Sequence, residues 1–194
     1  MYKRQLQAIA DGLLAASDVI LKANGADMEA AQAGGMSKAM QDRLRLTPAR
    51  IADMAEGVRQ VAALPDPIGA VDWKRRRPNG LLIERRRVPL GVIAIIFEAR
   101  PNVTSDAAAL CLKSGNAVIL RGGKEAAQSC RAIAAVMRQA LETVGLPADC
   151  INLVADTSRE SAQELMRLRA YVDVLIPGAG PVSSAPRWKM PGCR

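Results

Sequence analysis

The sequence VPLGVIAIIFEARPNVTSDAAALCLKSGNAVILRGG, residues 88–123, decides the fold of this chain. The near-continuous apolar run from Gly91 to Phe97 is typical of a strand that is covered on both faces. A polar turn that contains Pro101 follows, and then a short helix, a second apolar run at 117–120 and a glycine turn. A strand, a crossover helix and a parallel strand form a βαβ unit, and ligands bind where such strands end. We therefore expect cofactor binding or chemistry at these two turns.

The ends of the helix in this unit follow from its polar residues. Thr104 or Ser105 can cap its N-terminus, with Asp106 in the first turn. Gly115 can adopt the left-handed conformation that commonly ends a helix, and Lys113 is favourable for the helix dipole there. We interpret the segment 113–116 as mainly structural.

Four segments of alternating type continue the pattern after residue 123. They are a helix at 126–144, a strand at 150–154, a helix at 159–168 and a strand at 172–176. Together with the two earlier strands, they predict an α/β fold with a partial doubly wound parallel sheet.

The N-terminal part of the chain is predicted to be helical. Apolar residues at helical spacing from Leu6 to Leu21 predict one amphipathic helix that ends near Asn24-Gly25, followed by a short helix at 26–33. Thr47-Pro48 is a typical helix start, with threonine as the cap and proline in the first turn.

A β-hairpin is predicted at about 73–87, because Asn79-Gly80 lies between two strand-like runs. The segments 74–77 and 85–87 carry seven of the positive charges that give the chain its net charge of +8. We do not expect nucleic-acid binding, because no aromatic residues are interleaved for base stacking and no nucleic-acid motif is present. A solvated hairpin face is the favoured interpretation, and an anionic cofactor or a subunit surface is the alternative.

The composition fits one globular cytoplasmic domain. Of the 194 residues, 49% are hydrophobic, and no apolar run of about 18 residues that could cross a membrane is present. Asp11 and Asp18 interrupt the N-terminal apolar residues, so no signal peptide is expected. The chain has no histidine and its four cysteines lack close spacing, so we expect neither a metal site nor a Ser-His-Asp or Cys-His catalytic group.

The motifs EARPNVT at 98–104 and KSGNAVILRGG at 113–123 resemble the signature of the γ-glutamyl phosphate reductase (glutamate-5-semialdehyde dehydrogenase) family, a branch of the aldehyde dehydrogenase superfamily. The likeness covers about residues 5–177. It implies an NADPH-dependent reductase of proline biosynthesis that acts on γ-glutamyl phosphate through a thioester on a cysteine. It also implies that the 73–87 hairpin takes part in homo-oligomer formation.

Arg121, Gly122, Gly123, Lys124 and Glu125 are the predicted cofactor-binding residues, because they lie between a strand and a helix. Glycines let the backbone approach a ligand closely, and the N-terminus of the next helix favours phosphate. The dinucleotide pattern GxGxxG is absent, so the residues alone leave a tight turn with solvated charges equally open. The resemblance favours adenosine and phosphate contacts, since this superfamily holds the cofactor ribose here with a basic and an acidic residue. Lys124 departs from the small polar residue that the resemblance leads us to expect.

Glu98 and Arg100 are the predicted substrate-binding residues, and Asn102 is the predicted catalytic one. An arginine suits a carboxylate or an acyl phosphate because its planar fork binds two oxygens. By resemblance, Asn102 is the amide that stabilises the oxyanion of a thiohemiacetal. From the residues alone, the alternative is that Glu98 and Arg100 pair across the turn and Asn102 caps it.

None of the four cysteines matches the family's nucleophile. Cys111 lies in an Ala/Leu helix and Cys150 in a buried strand, so both are expected to be inert core residues. Cys193 lies in the segment 178–194, which we expect to be an unrelated, disordered tail after the incomplete cofactor-binding domain at 1–177. We therefore expect a partial gene product without the catalytic cysteine. An inactive truncated fragment and a basic module that binds anions or nucleic acid are the alternatives.

Overall fold

The computed structural model describes residues 2–178 as helices packed on a parallel sheet, with a separate hairpin. The helices are α1 (Lys3–Ala15), α2 (Ser17–Ala33), α3 (Lys38–Leu44), α4 (Pro48–Ala63), α5 (Val103–Lys113), α6 (Ala127–Thr143) and α7 (Arg159–Arg167). The strands are β1 (Val71–Arg76), β2 (Leu82–Arg86), β3 (Val92–Ile96), β4 (Ala117–Arg121), β5 (Ile151–Leu153) and β6 (Val174–Pro177). Short 3-10 turns at Lys124–Ala126 and Ala148–Cys150 precede α6 and β5.

Strands β3 to β6 form one parallel sheet in the order β5-β4-β3-β6. Successive side chains of a strand point to opposite faces. Ile93 and Phe97 join the larger core, which contains residues of α5 and α6, whereas Ala94 and Ile96 pack with Leu165 of α7. Helices therefore cover both faces, and the predicted doubly wound α/β fold is confirmed.

The break between the first two helices differs from the prediction. α1 ends at Ala15, and α2 runs through Asn24 and Gly25, where the helix was expected to stop. Asn24 is buried, and its side-chain amide donates to the Leu44 carbonyl at 2.9 Å and accepts from the Leu46 N–H at 2.8 Å. Because these partners lie outside α2, the amide does not compete for the backbone of its own helix.

Side chains cap the next two helices. α3 was not predicted, although Ser37 is a capping residue: its hydroxyl accepts a hydrogen bond from the Met40 N–H at 3.4 Å. α4 begins as predicted, with the Thr47 hydroxyl accepting from the Arg50 N–H at 3.2 Å. β1 and β2 form the predicted antiparallel hairpin, and Gly80 in its turn has a φ of 88°.

α5 begins at Val103, directly after Asn102, so the prediction that Thr104 or Ser105 caps it is wrong. Both residues are fully buried in the first turn, and the Ser105 hydroxyl donates to the Asn102 carbonyl at 2.8 Å. These two side chains are therefore packed within the first turn, and they do not cap an unpaired backbone N–H at the start of α5. Gly115 ends the helix as predicted, with a φ of 77°.

Candidate functional site

The strand order determines where a ligand is expected. The chain runs from β3 outward to β4 and β5, and then places β6 on the other side of β3. Ligands of open parallel sheets bind outside the carboxyl ends of the strands at such a reversal. A crevice lies there, which we call the switch-point crevice, lined by Met40, Arg43, Phe97, Glu98, Ala99, Arg100, Val103 and Gly178.

A second cavity adjoins this crevice, and Arg43 and Arg100 line both. We call it the arginine cavity, and it is lined by Asp42, Arg43, Arg45, Leu46, Arg50, Asp53, Met54, Arg100, Asn102 and Asp106. Its volume of about 390 Å³ is in the range of small-molecule sites. The sequence analysis did not predict that residues of α3 and α4 line this cavity. A sequence signal that could have indicated it is the alternation of charged and apolar residues at 43–46.

Asn102 and Asp106 lie together in the arginine cavity. The Asn102 Nδ2 donates to Asp106 Oδ2 at 3.1 Å, and among the described residues the Asn102 side chain makes no capping hydrogen bond. Burial raises the pKa of Asp106, while hydrogen bonds from Asn102 and Ser105 act in the opposite direction. Asn102 therefore occupies the N-cap position of α5 without capping the helix through its side chain, and one of its amide hydrogens has no partner within residues 2–178.

Glu98 and Arg100 are both exposed at the switch-point crevice. Within residues 2–178 their side chains form no ion pair, and the two residues are joined by a backbone hydrogen bond of 2.5 Å. The alternative of an ion pair across the turn is therefore wrong, and the Arg100 guanidinium is accessible to an anion.

Arg121 at the end of β4 supports the neighbouring loop. Its guanidinium donates to the carbonyls of Thr157 and Ser158 at 2.6 and 2.7 Å. Ser158 caps α7, so Arg121 fixes the turn between β5 and that helix. The Arg121 Nε is buried without a hydrogen-bond partner in the described part of the chain. The Arg121 guanidinium is thus engaged in hydrogen bonds to backbone carbonyls of the protein itself.

The two glycines after β4 have different surroundings. A Cβ on Gly122 would lie 3.2 Å from the Cys130 sulfur, so a side chain here would press against the core. A Cβ on Gly123 would meet a carboxylate oxygen of Glu125 at 2.5 Å and the Cα of Glu98 at 3.5 Å. The turn after β4 therefore packs directly on the turn after β3, and the two predicted sites are adjacent.

The N-terminus of α6 is already capped by an acidic side chain of the chain itself. Asp27 of α2 is buried, and its oxygens accept from the Gln128 N–H at 3.1 Å, the Ser129 N–H at 2.8 Å and the Ser129 hydroxyl at 2.6 Å. A phosphate at this helix end would need the same N–H groups. The expectation that these amides favour phosphate is therefore wrong.

Lys124 and Glu125 lie in the 3-10 turn before α6. Lys124 is exposed and Glu125 is half-buried, and neither side chain has a hydrogen-bond or ion-pair partner in the part of the chain that the structure describes. A carboxylate can accept from ribose hydroxyls, and an ammonium can pair with a phosphate. Both side chains are thus open to such a ligand in the described part of the chain.

The model of the aldehyde dehydrogenase family matches residues 10–182. This chain belongs to the aldehyde dehydrogenase family. It is 56% identical over 163 residues to the γ-glutamyl phosphate reductase of Nitratidesulfovibrio vulgaris and 57% identical over 175 residues to that of Enterococcus faecalis. These matches cover 84% and 90% of this chain but 39% and 42% of the relatives, so the chain spans about two-fifths of their length.

A solved structure agrees with this assignment. The crystal structure of γ-glutamyl phosphate reductase from Thermotoga maritima has a TM-score of 0.90 with this chain, at 39% identity. The superposition covers 92% of this chain and 43% of that one. The predicted resemblance is therefore confirmed for this member of the aldehyde dehydrogenase family.

The described thiols of this aldehyde dehydrogenase family member are not activated. Burial raises the pKa of Cys111 and of Cys130 to about 11. Cys150 ends a 3-10 turn instead of lying in the predicted strand, and burial raises its pKa as well. A nucleophilic cysteine needs a lowered pKa, so none of these three has that character. Cys193 and the tail predicted beyond Gly178 lie outside the described residues.

The positive charge of the hairpin is partly neutralised within the hairpin. Glu84 pairs with Lys74 at 2.9 Å and with Arg86 at 2.6 Å, and Asp72 pairs with Arg87 at 2.9 Å. Hydrogen bonds from Lys74 and Arg86 lower the pKa of Glu84. Such exposed pairs are typical of a solvated protein face.

Within residues 2–178, no helix is long and apolar enough to cross a membrane. In the same part of the chain, no group of at least three His, Cys, Asp or Glu side chains could hold a metal ion.

Proposed function

We propose that this chain forms the nucleotide-binding part of an NADPH-dependent γ-glutamyl phosphate reductase, a cytoplasmic oxidoreductase of proline biosynthesis. The observation that carries the proposal is the direct packing of the turn after β4 on the turn after β3 at the reversal of strand order. Gly123 lies against Glu98, and Arg100 and Asn102 of the same turn line the arginine cavity. The identities of 56% and 57% to relatives that bear this name support the assignment.

The cofactor would lie on the turn after β4. Gly123 would allow its close approach, Glu125 would accept hydrogen bonds from a ribose, and Lys124 would pair with the phosphate that distinguishes NADPH from NADH. Gly122 and Arg121 would shape this surface by packing the strand end and by fixing the loop after β5. When bound, NADPH supplies the hydride for the reduction.

The substrate would lie on the turn after β3. The Arg100 guanidinium would bind the phosphate of γ-glutamyl phosphate, and Glu98 would accept hydrogen bonds beside it. Asn102 would donate its remaining amide hydrogen to the oxygen that becomes negatively charged during the reaction. Asp106 would hold that amide in place through the 3.1 Å hydrogen bond.

Calorimetric titration with NADPH and with NADH tests the cofactor part of the proposal. We expect NADPH to bind more tightly, Glu125→Ala to weaken both nucleotides about tenfold, and Lys124→Ala to reduce the preference for NADPH. Glu29→Ala and Lys22→Ala are matched controls, because both side chains are exposed on α2. Absence of saturable binding, or affinities that neither Glu125→Ala nor Lys124→Ala changes, would refute the assignment.

We also propose that the hairpin joins two copies of the chain. Apolar side chains remain exposed on and beside it, including Trp73 at 46%, Leu82 at 50% and Val88 at 74%. Exposed apolar patches of this kind mark interaction surfaces. Light scattering should show an oligomer that Leu82→Glu converts to a monomer, and a monomeric wild-type chain would refute this part.

A further inference from the structure

The arginine cavity contains five charged residues to which the proposed reaction gives no role: Asp42, Arg43, Arg45, Arg50 and Asp53. Arg50 donates to the Arg45 carbonyl at 2.7 Å and to Asp42 Oδ1 at 3.0 Å, so it is a structural cation. Arg45 and Asp53, by contrast, have no side-chain hydrogen bond or ion pair within residues 2–178. Both line the arginine cavity and neither lines the switch-point crevice. They are an accessible cation and an accessible anion in one cavity.

Arg45 lies on a segment whose backbone is fixed on both sides. Leu44 and Leu46, which flank it, are 0% and 7% exposed. The buried amide of Asn24 binds the backbone of both leucines, and Arg50 binds the carbonyl of Arg45 itself. This anchoring holds the base of the Arg45 side chain at one place beside the cavity, as a binding residue requires.

We infer that Arg45 and Asp53 form the subsite for the α-amino acid end of the substrate. Arg45 binds the α-carboxylate, and Asp53 binds the α-ammonium group. This inference rests on the proposed function, which places the reacting carbonyl at Asn102 in the same cavity. An α-amino acid carries an anion and a cation on one carbon atom, and a guanidinium and a carboxylate in one cavity complement that pair.

The dipole of α3 does not account for all the charged residues in this cavity. Arg43 lies in the last turn of α3, where a cation is favourable for the helix dipole without any ligand. Arg45 is the C-cap residue of α3, so the dipole favours its charge as well, but the dipole does not account for Asp53 in the interior of α4. Arg43 and Arg100, which line both cavities, are left for the phosphate end of the substrate.

Titration of the intact chain with three small acids tests the subsite. The probes are L-glutamate, glutarate, which lacks the ammonium group, and 4-aminobutyrate, which lacks the α-carboxylate. We expect Arg45→Gln to weaken L-glutamate and glutarate about tenfold and to leave 4-aminobutyrate unchanged. We expect Asp53→Asn to weaken L-glutamate about tenfold and to leave glutarate unchanged. This crossed pattern is not expected from a general loss of structure.

Two conservative variants outside the cavity serve as controls. Lys38→Gln and Glu56→Gln remove exposed charges from α3 and α4, and both should bind L-glutamate like the wild type. Thermal unfolding of every variant checks that the fold is kept. Failure of the chain to bind L-glutamate, or Arg45→Gln and Asp53→Asn variants with wild-type affinity, would overturn the inference. NADPH is titrated into the same samples. If NADPH binds and L-glutamate does not, the inference alone fails; if NADPH does not bind either, the proposed function fails.

Discussion

Replacement of Asp27 by alanine should show how strongly the fold depends on the cap of α6. The Asp27 carboxylate accepts three hydrogen bonds, from two backbone N–H groups and the hydroxyl of Ser129, at 2.6 to 3.1 Å. The carboxylate is buried, and it lies at the helix end where a negative charge is favourable. Asp27→Ala leaves all three donors without this acceptor.

The magnitude follows from the three contributions that are lost. Replacement of an N-cap acceptor by alanine costs about 0.5–2 kcal/mol, and loss of the charge at the helix end costs up to about 2 kcal/mol. A buried donor left without a partner costs about 1–3 kcal/mol. Because these contributions overlap, we expect the free energy of unfolding to fall by about 3–5 kcal/mol. Asp27→Asn, which keeps one acceptor oxygen, should lose about half as much.

Urea unfolding followed by circular dichroism measures this loss. The matched control is Glu29→Ala, which removes an exposed carboxylate from the same helix and should change stability by no more than about 0.5 kcal/mol. Inorganic phosphate should stabilise Asp27→Ala more than the wild type, because the variant frees an anion site at the helix end. A stability of Asp27→Ala within about 1 kcal/mol of the control would refute this account of the cap.

Three further predictions concern the glycine turn and the thiols. Gly122→Val should lower the melting temperature with or without NADPH, because its side chain meets the Cys130 sulfur; an unchanged melting temperature would contradict this. The raised pKa of Cys111 and Cys130 means that the folded state keeps protons that the unfolded state loses above pH 9, so stability should fall from pH 9 to about 11. Urea titrations that show constant stability over this range would exclude it. The chain should produce no NADPH from glutamate semialdehyde and phosphate, since no described thiol is activated, and turnover that depends on any cysteine would contradict this.

The sheet was predictable because its signals are local. Apolar runs such as 92–96 and 117–120 are short, bounded by turn residues and separated by a helical segment, so they predict buried parallel strands. Capping signals such as Thr47 and Gly115 worked for the same reason, because their partners lie within a few residues.

The features that could not be predicted depend on partners far apart in the sequence. Asp27 caps a helix whose N–H groups lie 101 and 102 residues further along the chain. Asn24 continues a helix that it was expected to end, because its amide binds the backbone around Arg45. The arginine cavity likewise combines α3 and α4 with the turn after β3, and no local pattern links these segments.

Mapping of NADPH binding by amide chemical shifts tests the central proposal most directly. The intact, isotope-labelled chain is titrated with NADPH, and the shift of each assigned backbone N–H is followed to saturation. We predict the largest changes at Gly123, Lys124 and Glu125, with smaller ones in the adjoining turn at 98–102. Absence of saturable changes, or changes confined to the hairpin at 71–86, would contradict the assignment of this turn as the cofactor site.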